Sequence, residues 1–471
     1  MNNLLSGDTI VAPATIPGTG AISIVRISGP DCFRFADVVI QLKHGSISEC
    51  EGYTIHYGEV SRLDDVLVSV FRAPHSYTGE DSVEISFHAS RYIADELVRR
   101  LLDAGCRLAG PGEFTRRAFM NGKMDLAQAE AVADLIASTT AASHRVAFNQ
   151  LRGGFSNELA LLRSELVEMT SLLELELDFS EEEVEFADRT RLVALIDKTR
   201  SHVSALADTF KYGNAIRNGV PVAIVGATNV GKSTLLNALL GEDRALVSDV
   251  AGTTRDTVEE VINLDGIPFR FIDTAGIRET SETVEKMGIE RTFRKLSEAE
   301  IVIGLLDVTT AETSILDNLK LMVSKIDFGT QQLVLCLNKV DLTEESVVNK
   351  NVNTINNFVA PLDKEVIVVK LAAKSGLGLS ELRTTLSRLE SHLIPNADST
   401  FVTNIRHYES LRNTAASLAD ARQALTSGIP ADLVAEDLRR AISSLNQILG
   451  TDLIDPESVL QHIFRNHCIG K

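Results

Sequence analysis

The eight residues GATNVGKS, Gly226 to Ser233, follow the apolar run VPVAIVG and precede LLNALLG. A G-x-x-x-x-G-K-[ST] spacing between a strand and a helix lets the loop wrap a phosphate chain, with backbone N–H groups aimed inward at a helix N-terminus. Lys232 is set to bridge the β- and γ-phosphates, and the Ser233 hydroxyl to ligate Mg²⁺. The loop residues Asn229, Val230, Gly231 and Thr234 belong to the same binding segment. Farther along, Asn338-Lys339-Val340-Asp341 closes another apolar run. A carboxylate at Asp341 accepts both the N1–H and the 2-amino hydrogens of guanine, a pair that adenine lacks, and Asn338 complements another edge of the base. The expected nucleotide is therefore GTP.

Asp273-Thr274-Ala275-Gly276 closes the run IPFRFID. Asp273 is placed to support the Mg²⁺ shell, and the Gly276 amide to meet the γ-phosphate. Between this motif and the phosphate loop lies Gly252-Thr253-Thr254-Arg255-Asp256, where Thr254 is the natural switch-type Mg²⁺ ligand. Four motifs in this order predict GTP hydrolysis. The residue after the third is Ile277, whose side chain cannot orient water. Another group must do so, and Glu279, Glu282 and Glu285 stand as three alternatives.

The elements that position these motifs follow from apolar patterning. VPVAIVG, IPFRFID, EIVIGLLD, QLVLCLN and EVIVVKL are five short apolar runs separated by helical or loop segments, the pattern of a parallel, doubly wound sheet buried on both faces. Before them, Leu126 to about Phe210 is Ala- and Leu-rich with a 3.6-residue period, interrupted at Gly153 and Gly154. Helical patterning returns from Leu379 onward. The first 120 residues alternate as strands over Ala21 to Gly29, Asp65 to Pro74 and Asp81 to Ala89, with a helix over Tyr92 to Gly105. The expected architecture is multidomain α/β plus α. An N-terminal domain spans 1–121, a discontinuous helical domain 122–218 and 381–471, and an inserted P-loop GTPase domain 219–380.

Forty-six basic against 65 acidic residues leave a net charge of -19, which disfavours a generalised basic surface for nucleic acid. No window approaches the roughly 20 apolar residues that cross a bilayer. MNNLLSGDTIVA has no basic n-region followed by an apolar stretch, so a cytoplasmic protein is expected. The acidic run Glu174 to Asp188 reads as a solvated helix end. Cys32, Cys50, Cys106, Cys336 and Cys468 show no metal-ligand spacing, and the first four read as isolated structural thiols.

The motifs and their flanks together resemble the MnmE (TrmE) family of tRNA-modification GTPases nearly end to end. The resemblance rests on Asp8 to Pro30, Ser76 to Ile85, Gly110 to Ile136, the AGTTRD segment and the terminal CIGK. It implies a Ras-like GTPase inserted in the helical domain, dimerisation through a tetrahydrofolate-binding-like N-terminal domain, and activation by K⁺ acting in place of an arginine finger. The K⁺ site falls on Asn229, Ser248, Val250 and Thr253, within a nucleotide-binding segment that also takes in Asp249, Ala251 and Gly252. The water-positioning glutamate falls on Glu285, and the contacts to 5-formyltetrahydrofolate or a related folate on Arg26, Glu84, Lys123 and Lys471. Cys468 takes the position of a cysteine needed for modification.

By the same resemblance, a flavoprotein partner similar to MnmG (GidA) joins the chain in a hetero-oligomer and carries most of the tRNA-binding surface. The reaction implied adds a carboxymethylaminomethyl or aminomethyl group at C5 of the wobble uridine of certain tRNAs. Two positions depart from the family pattern. Ala372-Ala373-Lys374 falls on what the resemblance implies is a guanine-contact loop, with Ala372 where a serine is usual, and His467 stands where an aromatic residue usually precedes CIGK. The alternative function is an Era-like regulatory GTPase of ribosome assembly, although such a protein is expected to carry a basic appended domain that this chain lacks.

Overall fold

The computed structural model describes residues 7–178, 189–243, 260–272, 296–362, 364–390 and 400–451. They fall into two compact units. One draws on Met1–Ile136, Asn149–Ser201 and Asn413–Lys471, the other on Ala137–Phe148 and His202–Arg412.

In the first unit a seven-stranded sheet is built from β1 (Ile10–Pro13), β2 (Ile22–Ser28), β3 (Gln41–Leu42), β4 (Thr54–Val60), β5 (Asp64–Phe71), β6 (Ser82–His88) and β7 (Arg107–Leu108), in the order β3-β4-β5-β6-β2-β1-β7. All pairings are antiparallel except that of β1 with β7. Helices Cys32–Val39 and Arg91–Asp103 cover one face, burying Phe33, Phe35, Leu97 and Leu101 with Val25, Ile27, Val68 and Ile85. On β4 the apolar Ile55 and Tyr57 are exposed while Gly58 and Val60 are buried, so the usual alternation is inverted in character. Long helices Gly154–Asp178 and Ala431–Leu449 pack together in this unit, and Arg163 donates from Nε to Asn446 Oδ1 at 2.7 Å. At the start of the acidic run Glu174 pairs with Arg439 at 2.7 Å, and residues 179–188 of that run lie outside the described residues.

The second unit holds a six-stranded sheet of β8 (Val220–Gly226), β9 (Glu260–Leu264), β10 (Ile267–Phe271), β11 (Ile301–Asp307), β12 (Gln332–Asn338) and β13 (Val366–Lys370), ordered β13-β12-β11-β8-β10-β9. The five expected strands are all present and mutually parallel. The sequence pattern did not reveal β9, an antiparallel edge strand joined to β10 through Asp265 and Gly266, both at positive φ. Along the central strands, alternate residues serve two separate cores. Val222, Ile224, Ile303, Val334 and Cys336 pack with Leu235 and Leu239 of helix Lys232–Asp243 and with Leu382 and Leu386 of helix Leu379–Leu389. Ala223, Val225, Val302, Leu306, Leu335 and Leu337 pack with Ile315 and Leu319 of helix Glu312–Val323 and with Val348 and Ile355 of helix Glu345–Val359. Burial on both faces is why these strands read as unbroken apolar runs.

Among the described residues no helix is long and apolar enough to cross a membrane. Cys32, Cys106 and Cys336 are buried free thiols whose pKa values burial pushes up, and Cys50 is a half-buried one.

Candidate functional site

The site forms at the carboxyl ends of β8, β11, β12 and β13, the edge where open parallel sheets bind ligands. The loop after β8 needs its glycines. At Gly226 (φ +159) an added Cβ would meet the Leu305 carbonyl oxygen at 2.6 Å, and at Gly231 (φ +105) it would meet Asn338 Nδ2 at 2.4 Å. Asn229 adopts the left-handed conformation, φ 59, in the same loop. Helix Lys232–Asp243 then starts directly from the loop, so its N-terminal N–H groups lie at the phosphate cradle. The Lys232 ammonium turns back on that loop, donating to the Gly226 carbonyl at 2.8 Å and the Ala227 carbonyl at 2.9 Å. Burial lowers its pKa, so phosphate oxygens arriving there meet a cation whose charge is poorly solvated by water. Glycines that no side chain can replace, an N-terminal helix turn and a half-buried lysine fit a nucleotide's phosphate chain.

The second wall of the site comes from the ends of β12 and β13. Asn338, 3% exposed, donates from Nδ2 to the Val230 carbonyl at 2.7 Å and accepts from the Ala373 N–H at Oδ1 at 3.0 Å. It ties the phosphate loop to the loop after β13, while retaining a second amide N–H for a base. Lys339, also left-handed at φ 68, donates from Nζ to the Asn229 carbonyl at 3.1 Å and to Asp307 Oδ2 at 2.6 Å. Val340 and Asp341 follow in a short 3₁₀ turn with the Asp341 side chain exposed at the rim. Ala372 and Ala373 are buried, Lys374 is exposed, and the Ala372 N–H bonds the Leu377 carbonyl at 2.9 Å to close the loop. Backbone groups shape this loop, which is why an alanine at Ala372 is accommodated.

Asn229, Val230, Gly231, Lys232, Ser233 and Thr234 are thus gathered with Asn338 through Asp341 and Ala372 through Lys374 at one edge of one sheet. Ser248, Asp249, Val250, Ala251, Gly252, Thr253, Thr254, Asp273, Thr274, Ala275, Gly276, Glu285, Cys468 and Lys471 lie outside the described residues. Sequence reasoning missed Asp307, which ends β11 level with Asn338 in the parallel register, a neighbourhood that no local sequence pattern carries.

A second constellation lies in the other unit. Arg26 and Glu84 are register partners on β2 and β6, joined Nε to Oε1 at 2.9 Å with both side chains largely buried. The guanidinium sits 5.3 Å from the centroid of the Tyr77 ring and 5.6 Å from that of Phe114, and the Tyr77 hydroxyl is 2.8 Å from Thr115 Oγ1. Lys123 donates from Nζ to the Pro74 carbonyl at 2.9 Å. A cation and a carboxylate side by side on aromatic rings suit a planar ligand with an anionic arm and N–H donors. The two aromatic residues were not among the expected site residues.

The N-terminal region matches the family model described as GTP-binding protein TrmE N-terminus over residues 9–123. The model described as MnmE helical domain matches residues 126–468. The chain belongs to the MnmE family. MnmE relatives named tRNA modification GTPase match it end to end. That of Bacteroides fragilis (strain YCH46) is 48% identical over 99% of this chain and 100% of its own length. That of Bacteroides thetaiotaomicron is 47% identical over the same shares. Among solved structures, Aquifex aeolicus Era bound to GDP.AlF4- is similar at 26% identity over 42% of this chain and 66% of its own, with a TM-score of 0.28.

Proposed function

We propose that the chain is a GTP hydrolase of tRNA modification, acting on C5 of the wobble uridine to install a carboxymethylaminomethyl or aminomethyl group. The observation that carries this reading is the phosphate cradle of Gly226, Gly231 and Lys232 locked by Asn338 to the guanine loop, in a chain whose end-to-end relatives are named tRNA modification GTPase. That end-to-end match favours tRNA modification over the Era-like role in ribosome assembly.

In the proposed site, residues 219–380 form the GTPase domain. Lys232 and the loop N–H groups would hold the β- and γ-phosphates, the Asp341 carboxylate and the Asn338 amide would hold guanine, and Ser233 would hold Mg²⁺ with Thr254. Mg²⁺ supplies neutralisation of charge developing on the phosphates. Asn229, with Ser248, Val250 and Thr253, would hold K⁺, which offers positive charge beside the β- and γ-phosphates. Glu285 positions the attacking water, since Ile277 cannot.

Arg26, Glu84 and Lys123, with Lys471, would bind 5-formyltetrahydrofolate or a related folate, the cations meeting its carboxylates and Glu84 its ring N–H groups. Cys468 serves the modification chemistry. The protein acts in the cytoplasm as a homodimer, with an MnmG-like FAD protein that brings most of the tRNA contact.

The test is the rate of GTP hydrolysis by purified protein in KCl and in NaCl, with and without the flavoprotein. Several-fold faster turnover in KCl is expected. Equal rates in the two salts remove K⁺ from Asn229, and absence of hydrolysis in either removes the GTPase reading itself.

A further inference from the structure

Two residues other than glycine adopt the left-handed conformation in the loops of the nucleotide site, Asn229 at φ 59 and Lys339 at φ 68. Such conformations are costly for residues with a Cβ and persist only where neighbouring groups hold them. Here each holds the other, because the Lys339 ammonium donates to the Asn229 carbonyl at 3.1 Å. One hydrogen bond from a flexible lysine does not fix a loop by itself, since the side chain carries large rotamer entropy.

Asp307 supplies the missing constraint. Its Oδ2 accepts from the same ammonium at 2.6 Å, while its Oδ1 accepts from the Thr309 N–H at 2.9 Å and the Thr309 hydroxyl at 2.6 Å. The carboxylate is therefore anchored before it meets the lysine. Its side chain is 14% exposed and that of Lys339 32%, so water screens the pair only in part. The parallel register sets the meeting point, because Asp307 and Asn338 are Cα partners at the ends of β11 and β12 and Lys339 follows directly.

We propose that Asp307 is a positioning residue for guanine-nucleotide binding. It holds Lys339 in the one place from which the ammonium reaches the Asn229 carbonyl, and so fixes the phosphate loop and the guanine loop relative to each other before nucleotide arrives. Its role is exerted through the Lys339 ammonium, which its Oδ2 meets at 2.6 Å. Preorganisation of this kind lowers the ordering cost of binding and acts equally on GDP and GTP. The inference rests on the GTPase reading above.

The experiment uses the full chain and a fluorescent GDP, with a non-hydrolysable GTP analogue as competitor. Asp307→Asn keeps an acceptor of the same shape but removes the charge. It is expected to weaken GDP and the GTP analogue alike by about tenfold, the order of a lost charge-assisted hydrogen bond. The KM for GTP should rise by a similar factor while kcat at saturating GTP and KCl stays within about twofold. In a Lys339→Met background, Asp307→Asn should add nothing, since the ammonium it acts through is gone. A merely structural role predicts the reverse, a drop in unfolding temperature with an unaltered KM. If Asp307→Asn does not fold, Thr309→Ala removes one of the two donors that orient the carboxylate and should give a smaller rise in the same KM. Unchanged affinity in a folded Asp307 or Thr309 variant, or full additivity with Lys339→Met, overturns the inference. Failure of the unsubstituted protein to bind fluorescent GDP would overturn the GTPase reading instead.

Discussion

Asn338 holds Val230. The amide nitrogen donates to the Val230 carbonyl at 2.7 Å, and through its oxygen, which accepts from the Ala373 N–H at 3.0 Å, the same side chain reaches the third loop of the site. One buried amide thus sets the separation of the phosphate cradle and the guanine loop. Replacing it by alanine leaves a buried carbonyl and a buried N–H without this partner, at about 1–3 kcal/mol each. Asn338→Ala is expected to lower the unfolding temperature and to weaken GDP and GTP together, read by thermal unfolding with and without nucleotide.

Gly231 tests the same junction from the other side. Its φ of +105 and the 2.4 Å approach of Asn338 Nδ2 to an added Cβ leave no room for a methyl group. Left-handed strain of roughly 1–2 kcal/mol adds to displacement of that amide. Gly231→Ala should lose GTP affinity by at least about tenfold, measured by titration of a fluorescent nucleotide, and wild-type affinity would contradict the packing described.

Lys232 trades stability for function. Burial lowers its pKa in the folded chain, so between that value and the unfolded pKa the unfolded state binds more protons, and stability rises with pH across that window. In its charged form the lysine carries a desolvation cost. Lys232→Met is expected to raise the unfolding temperature of the nucleotide-free protein at pH 7 while abolishing hydrolysis. Phosphates provide the compensating charge in the unsubstituted protein, so added GTP should stabilise it and leave the variant unchanged.

Glu390 at the end of helix Leu379–Leu389 has its pKa raised to about 7, by burial and by the nearby Glu300 carboxylate, against the opposing pull of Lys211. The Lys211 ammonium is 2.6 Å from Glu300. The folded state therefore binds more protons than the unfolded one between the ordinary carboxyl value and about 7, and stability falls as pH rises through that interval. Glu390→Gln should raise the unfolding temperature at pH 8 and change it little at pH 5. A larger gain at pH 5 would reverse the sign assigned to this group.

The cluster around Arg26 and Glu84, proposed above for folate, shares no residue with the candidate nucleotide site. Arg26 carries Glu84 at 2.9 Å over the rings of Tyr77 and Phe114. Arg26→Ala is expected to abolish calorimetrically detected binding of 5-formyltetrahydrofolate while GTP hydrolysis stays within about twofold, because the two sites share no residue. Retained folate binding would remove Arg26 from that site.

The parallel strands were legible because Ile303, Val334 and their neighbours are apolar on both sheet faces. The edge strand Glu260–Leu264 was not, since only Ile262 and Leu264 face a core, and its signal was the Asp265-Gly266 turn instead. Strand Thr54–Val60 was hidden by Ile55 and Tyr57, apolar residues on its exposed side. At the candidate nucleotide site the loop glycines and Lys232 could be read from spacing alone, because the close approaches at Gly226 and Gly231 admit no side chain. The engagement of Asn338 with Val230 and Ala373, and of Lys339 with Asp307, depends on which strand ends lie side by side, and no local pattern carries that.

Nucleoside analysis of tRNA from a strain lacking this chain, complemented with the unsubstituted protein or with Lys232→Ala, asks whether the phosphate cradle serves wobble-uridine modification. The unsubstituted protein is expected to restore the C5-modified wobble uridine, and Lys232→Ala to leave it unmodified. Full restoration by Lys232→Ala, or none by the unsubstituted protein, would contradict it.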